Sequence, residues 1–228
     1  MKSFSRIYFF VLLILLLGST SFGDEFSPPV EFQRLGPDVK QAIVVHGHGP
    51  NDSTATLSVW QRREEGNQWQ NILPEINAVV GRNGIAPLGE KREGDGRTPS
   101  GIFSLQRAFG YGREVKTGLS YQQVTENDLW IDDVASPQYN QWVKAPSEAQ
   151  SFERLKRDDD LYKYGIVVEY NTNPVVPGNG SAIFIHVWRG PGHPTAGCVA
   201  LSEENILKLL DWLDVVNQPV IIVNKEAI

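Results

Sequence analysis

The chain has a single cysteine, Cys198, in 228 residues, with one methionine and four histidines. One cysteine cannot close an intrachain disulfide, so no internal cross-link staples this fold. Basic charge is also scarce. The 21 lysines and arginines stand against 27 acids, a formal net charge of −6, and nucleic-acid binding needs a basic footprint that such a chain does not supply. No polybasic segment is present to hold anionic lipid. No apolar run reaches the roughly 20 residues that cross a bilayer. The glycine-rich stretch Gly81 to Gly101 lacks the closing Gly-Lys-Ser/Thr of a phosphate loop and the acidic spacing of a calcium loop. There is no internal repeat.

The N-terminus follows a recognisable layout. Lys2 and Arg6 precede the unbroken apolar run Ile7 to Leu17, and small residues lead to Gly23. That is the pattern of a secretory signal peptide, so residues 1–23 are expected to be removed, with an uncleaved anchor as the alternative. The protein is then expected to be exported, periplasmic or cell-wall-associated, with no stable membrane insertion after cleavage. Residues 24–40, with Pro28, Pro29, Gly36 and Pro37, read as an irregular lead-in, and 41–223 as one domain. Exported cysteines usually occur in disulfide pairs. A leftover one is an intermolecular partner or a free reactive thiol; a small buried core residue is the third reading.

Along the domain, short apolar runs alternate with Gly/Pro-rich breaks. Gln41–Val45 reads as a strand, and Thr56–Gln61 with Trp69–Leu73 as a hairpin, followed by a separate strand at Ile76–Val80. Further strands are expected at Ile102–Leu105, Gly165–Tyr170, Ala182–Val187 and Val220–Val223. His46-Gly-His48 reads as a surface turn, because no third ligand for a metal lies near it. Asp132 and Asp133 are neighbours that a strand would point to opposite faces, which makes them a poor acid/base pair. Ser151 to Asp160 reads as a short solvated helix with Phe152 and Leu155 inward. Ser202 is a good N-cap, with Glu203 and Glu204 in the first turn and Ile206, Leu209, Leu210 and Leu213 on one face. The expectation is a mainly β fold with one good helix and one or two shorter ones, and no βαβ pattern.

Chemistry concentrates between Ile183 and Ala200. Ala182, Phe184 and His186 share one face of a strand, so His186 stands at the end of a rigid apolar platform. The Gly190-Pro-Gly-His-Pro194 loop can fold back and bring Cys198 to it. A thiol becomes a useful nucleophile when a neighbour takes its proton or lowers its pKa. Gly197 lets the backbone approach a ligand, and the N–H groups of Ala196, Gly197 and Cys198 are candidates for an oxyanion hole. If the following helix started beside the sulfur, its positive end would favour thiolate. The pattern points to acyl transfer through a thioester. A buried cysteine beside a core histidine, or metal binding by His186, His193 and Cys198, remain the alternatives.

The segment Ile185-His186…Thr195-Ala196-Gly197-Cys198-Val199 resembles the catalytic signature of the L,D-transpeptidases of the YkuD type. Asp95-Gly-Arg97-Thr98-Pro99-Ser100-Gly101-Ile102-Phe103 is similar to the family's Thr-Pro-x-Gly-x-Phe segment. The resemblance spans about Gln41 to Val223. It implies a β-sandwich with a catalytic groove, Cys198 as nucleophile and His186 as general base and acid. It also implies peptidoglycan stem peptides as partners and no cofactor. His186 would be oriented by a nearby carbonyl, here that of Val187. Thr195, His193, Arg189 and Arg97 are the candidate substrate-binding residues, the arginines for a stem carboxylate. Ala196 stands where the family usually has histidine, and Val199-Ala200 replaces the usual residues after the cysteine; these departures bear on the acceptor. The resemblance implies transfer to an amine. A hydrolase using the same thioester, or a wall-binding module without catalysis, are the competing functions.

Overall fold

The computed structural model describes residues 28–64 and 68–224; the expected signal peptide at 1–23 lies outside them. Among the described residues twelve strands carry the fold. β1 (Gln41–Gly47), β2 (Thr54–Arg62) and β3 (Trp69–Val79) form a meander, followed by β4 (Gly101–Gly110), β5 (Ser120–Gln123) and β6 (Asp128–Ile131). β7 (Trp142–Lys144), β8 (Phe152–Arg154), β9 (Tyr164–Val168), β10 (Phe184–Val187) and β11 (Val199–Leu201) come next. The helix α1 (Glu203–Trp212) and β12 (Val220–Asn224) complete the chain.

Nine strands make one sheet in the order β12-β1-β2-β3-β11-β10-β9-β4-β5, and β12 also pairs with β4. That last pairing closes the sheet on itself. β12 takes the first half of β4 (Val223 opposite Gly101), and β5 takes the second half (Arg107 opposite Ser120). Closure leaves fewer open edges to protect. The mainly β expectation holds, and its layers turn out to belong to this single closed sheet.

Side-chain alternation explains the core. Ile43 and Val45 of β1 face inward, where α1 contributes Ile206, Leu209 and Leu210. Ala42 and Val44 face outward and are covered by Phe32 and Trp60. Phe32 sits on a short 3₁₀ turn, Val30–Arg34, with its ring edge-on to Trp60 at 5.4 Å. The expected irregular lead-in therefore packs as an outer layer from residue 30 on. The strands expected at 69–73 and 76–80 are one strand, β3, running through Pro74.

A second, three-stranded sheet, β7-β6-β8, caps the outer face of β9 and β10. Ser151 to Asp160 is not a helix: Phe152–Arg154 pairs with β6, placing Arg154 opposite Leu129, and only Asp160–Tyr162 turns as 3₁₀. Asp159 caps that turn by accepting from the Leu161 N–H. Pairing with an existing strand outweighs the helix propensity of the local sequence. Among the described residues no helix is long and apolar enough to cross a membrane.

Candidate active site

The site lies where the parallel pair β10–β11 meets the small sheet. Ile185 pairs with Val199 and His186 with Ala200. Ile183, Ile185, Val187, Val199 and Leu201 all join the central core on the α1 side. Ala182, Phe184 and Cys198 join the aromatic cluster under the small sheet, with Phe109, Trp130 and Tyr162. His186 stands on this second face, its ring edge-to-face with Tyr162 at 5.2 Å. Cys198, the residue before β11, thus lies diagonal to His186 of β10 across the parallel pair. Both line one cavity of about 310 Å³.

The thiol is held by the backbone of its neighbour. The Phe184 N–H donates to Sγ at 3.4 Å, and the thiol donates to the Ala182 carbonyl at 3.3 Å. Ala182 has a φ of +52° and is fixed by Asn140, whose Oδ1 accepts from the Ala182 N–H at 3.1 Å and from the Trp130 indole at 2.9 Å. The Cys198 carbonyl accepts from two hydroxyls, Thr195 at 2.6 Å and Thr98 at 3.3 Å. Thr98 also accepts from the Gly81 N–H at 2.9 Å. A Cβ at Gly197 would lie 3.0 Å from the Arg97 carbonyl, so glycine at residue 197 gives the Thr98 segment and the cysteine turn room to approach each other closely.

On the other side, the His186 Nδ1 lies 2.8 Å from the Val187 carbonyl. A carbonyl only accepts, so Nδ1 carries the proton and Nε2 keeps its lone pair. Burial pushes the imidazole pKa down to about 4, with the hydrogen bond to the Val187 carbonyl opposing the shift. Burial raises the Cys198 thiol well above its ordinary value, and the Glu153 carboxylate adds to this. The pair therefore rests as neutral thiol and neutral imidazole. The expected help from the helix end is absent. β11 intervenes between Cys198 and α1, and the helix packs on the opposite face of that strand from the sulfur.

The candidate substrate residues separate. His193, Thr195, Ala196 and Arg189 line the cavity with Cys198. Thr195 is sewn to the chain before the glycine loop: its N–H donates to Val80 at 3.0 Å, and its carbonyl accepts from Arg82 at 2.9 Å. The Gly197 N–H donates to the Thr195 hydroxyl at 3.1 Å. Arg97 turns away, donating to Asn51 at 3.1 Å on a different part of the surface. Arg82, Glu153, Arg157, Tyr162 and Trp188 also line the cavity, and no sequence pattern singled them out. Arg157 makes two bonds to Asp159, at 2.8 and 2.9 Å. His48 touches Thr54 at 2.9 Å in the turn expected of it, whereas His46 belongs to strand β1, opposite Thr56, and not to that turn. Among the described residues no group of three or more His, Cys, Asp or Glu is placed to hold a metal ion.

The family model of the YkuD L,D-transpeptidase catalytic domain matches residues 40–222, from just before β1 into β12. The chain belongs to the YkuD family of L,D-transpeptidase catalytic domains. No curated protein and no solved structure matches it. The family match covers every strand of the closed sheet and both motifs of the site. Thr98, from the Thr-Pro segment, lies beneath the cysteine, and His186 flanks the cysteine across β10–β11. In this member a buried Thr98 hydroxyl anchors the cysteine's own carbonyl.

Proposed function

We propose that this YkuD-family protein is an exported peptidoglycan L,D-transpeptidase, with Cys198 as nucleophile and His186 as general base and acid. One observation carries the reading. The only cysteine opens into the same cavity as a histidine whose Nδ1 is committed to Val187, which leaves Nε2 as the basic nitrogen.

The chemistry follows from the neutral resting pair. With the thiol pKa high and the imidazole pKa low, a standing thiolate–imidazolium pair is disfavoured, so the proton moves as the sulfur attacks. The S–C bond forms at the stem-peptide carbonyl while His186 takes the thiol proton. The C–N bond to the terminal D-residue then breaks, and the imidazolium returns that proton to the leaving amine. In the second half an acceptor amine forms the new C–N bond, the S–C bond breaks, and His186 carries the amine's proton to the departing sulfur. The Cys198 N–H is suited to the oxyanion; the Gly197 N–H joins it by exchanging its 3.1 Å bond to Thr195.

Wall charge supports a carboxylate-rich substrate. Arg82, Arg157 and Arg189 line the cavity against a single lining carboxylate, Glu153. Arg189 replaces Arg97 as the arginine suited to a stem carboxylate. The test is incubation with purified tetrapeptide stems and separation of products by mass. Cross-linked dimers support transfer to an amine. Free tripeptide alone makes the protein a hydrolase, and unchanged stems that nonetheless bind make it a wall-binding module.

A further inference from the structure

Glu153 is an acid aimed the wrong way for solubility. In β8 the side chains of Phe152 and Arg154 share one face, and Glu153 shares the other with Leu155, which is fully buried beneath the small sheet. Placing a carboxylate there costs desolvation that a neutral residue would avoid. Its Oε2 accepts a hydrogen bond from the Tyr162 hydroxyl, and the side chain lines the same cavity as Cys198 and His186.

Tyr162 is held on every side. Its ring lies edge-to-face with Phe109 at 5.8 Å, with Phe184 at 5.6 Å and with His186 at 5.2 Å. The Arg157 guanidinium sits 5.1 Å from the ring centroid. The capped 3₁₀ turn fixes its backbone. The ring is therefore the wall against which the imidazole stands, and its one polar atom is tied to a carboxylate.

In a Ser-His-Asp triad the carboxylate bonds the imidazole directly and steadies the imidazolium. Here the Val187 carbonyl occupies Nδ1. We infer that Glu153 and Tyr162 are positioning residues for His186: the carboxylate fixes and polarises the phenol, and the phenol ring supports the imidazole while it holds the proton taken from Cys198. The proton itself stays on the path from sulfur to imidazole to leaving amine, and none is delivered to Glu153. A phenol that donates to a carboxylate carries more electron density in its ring, which favours a neighbouring cation. The charged or titratable groups bearing on Glu153 are Tyr162, Asp132, Arg157, Glu93 and Cys198. Burial raises its pKa, so the support is lost as the pH falls and Glu153 takes up a proton.

The inference rests on the Cys198/His186 reading and not on the identity of the substrate, so its test uses no stem peptide. Because Cys198 is the only cysteine, iodoacetamide reports on it alone. Alkylation rates are measured against pH for the unaltered protein, Glu153→Gln, Tyr162→Phe and the double variant. Each single variant is expected to slow alkylation about tenfold at pH values above the Glu153 titration, one pKa unit's worth of imidazolium support. The double variant is expected to be no slower than either, because the two residues act as one unit. Beyond the acid limb of His186 itself, which every variant keeps, a second acid limb present in the unaltered protein should be absent from all three variants. Unchanged rates and pH profiles, or single effects that multiply in the double variant, overturn the proposal. A packing role alone would lower stability and leave the pH profile in place. If a variant does not fold, the His186 imidazole resonances of the unaltered protein decide. They should shift as Glu153 titrates, and their indifference to it overturns the proposal. Failure to turn over stem peptides would sink the transpeptidase reading and leave these outcomes readable.

Discussion

Asn140→Ala is expected to be among the most damaging single substitutions outside the cavity. Asn140 is 4 % exposed and uses its whole side chain. Its Oδ1 accepts from the Trp130 indole at 2.9 Å and the Ala182 N–H at 3.1 Å; its Nδ2 donates to the carbonyls of Tyr170 at 3.0 Å and Asn171 at 2.7 Å. One amide thus ties the small sheet to the turn that presents Ala182 to the thiol. Alanine leaves two buried donors unpaired, at about 1–3 kcal/mol each. Its φ of +57° adds about 1 kcal/mol for a residue with a plain Cβ. The expected loss is about 3–7 kcal/mol, read as a lower urea midpoint at constant m. Asn140→Gly removes the same bonds but tolerates the backbone, so it should unfold about 1 kcal/mol later than the alanine variant. Because the Ala182 carbonyl accepts from the thiol, Cys198 alkylation should also change in both. An alanine variant less than about 1 kcal/mol weaker, or a glycine variant no better than alanine, would refute this account of the turn.

Thr98→Val keeps the shape, strands the Gly81 N–H and removes one hydroxyl from the Cys198 carbonyl; a loss of about 1–3 kcal/mol with reduced turnover is expected by thermal unfolding and product assay. Gly197→Ala forces a Cβ to 3.0 Å from the Arg97 carbonyl, and should abolish turnover while binding of stems, followed by calorimetry, weakens far less. The imidazole pKa of about 4 lies below its ordinary 6.5, so between those values the unfolded chain binds more protons and stability rises with pH. That contribution is present in full above about 6.5, is lost as pH falls through about 4, and amounts to roughly 3 kcal/mol. Glu153, with its raised pKa, contributes in the opposite sense, so the readout is the difference in urea stability between the unaltered protein and His186→Asn across pH 4–7. A pH-independent difference would contradict the buried neutral imidazole.

Much of this arrangement is written in local sequence. The alternation read from Ala182 to Val187 puts His186 on the face opposite Ile183, Ile185 and Val187, as observed, although the strand itself is only Phe184–Val187 and Ala182 lies in the turn before it. Ser202 caps α1, its Oγ accepting from the Asn205 N–H. Other parts depend on contacts that no local pattern carries. Residues 151–160 look helical and charged, yet β6 recruits 152–154 as a strand, and that pairing is what turns Glu153 inward. Asp128 looks like a solvent-facing acid beside an apolar run, yet it is fully buried. It accepts from the Thr125 N–H and hydroxyl at 2.8 Å each, from the Trp142 indole at 2.7 Å and from Lys144 at 2.6 Å. The departure of Arg97 from the cavity, and the arrival of Arg82 in it, follow from how the glycine loop wraps: a Cβ on Gly96 would lie 2.8 Å from the Arg82 guanidinium carbon.

The central claim is that the Cys198 thiol takes an acyl group from a peptide stem with His186 moving the proton. Intact-mass measurement after brief mixing with a tetrapeptide stem tests it most directly. The account predicts a covalent adduct on the unaltered protein, equal to the stem minus its terminal residue and mapping to Cys198. It predicts no adduct on Cys198→Ala and slow formation on His186→Ala. Stem cleavage or cross-linking by Cys198→Ala at the parent rate would contradict it.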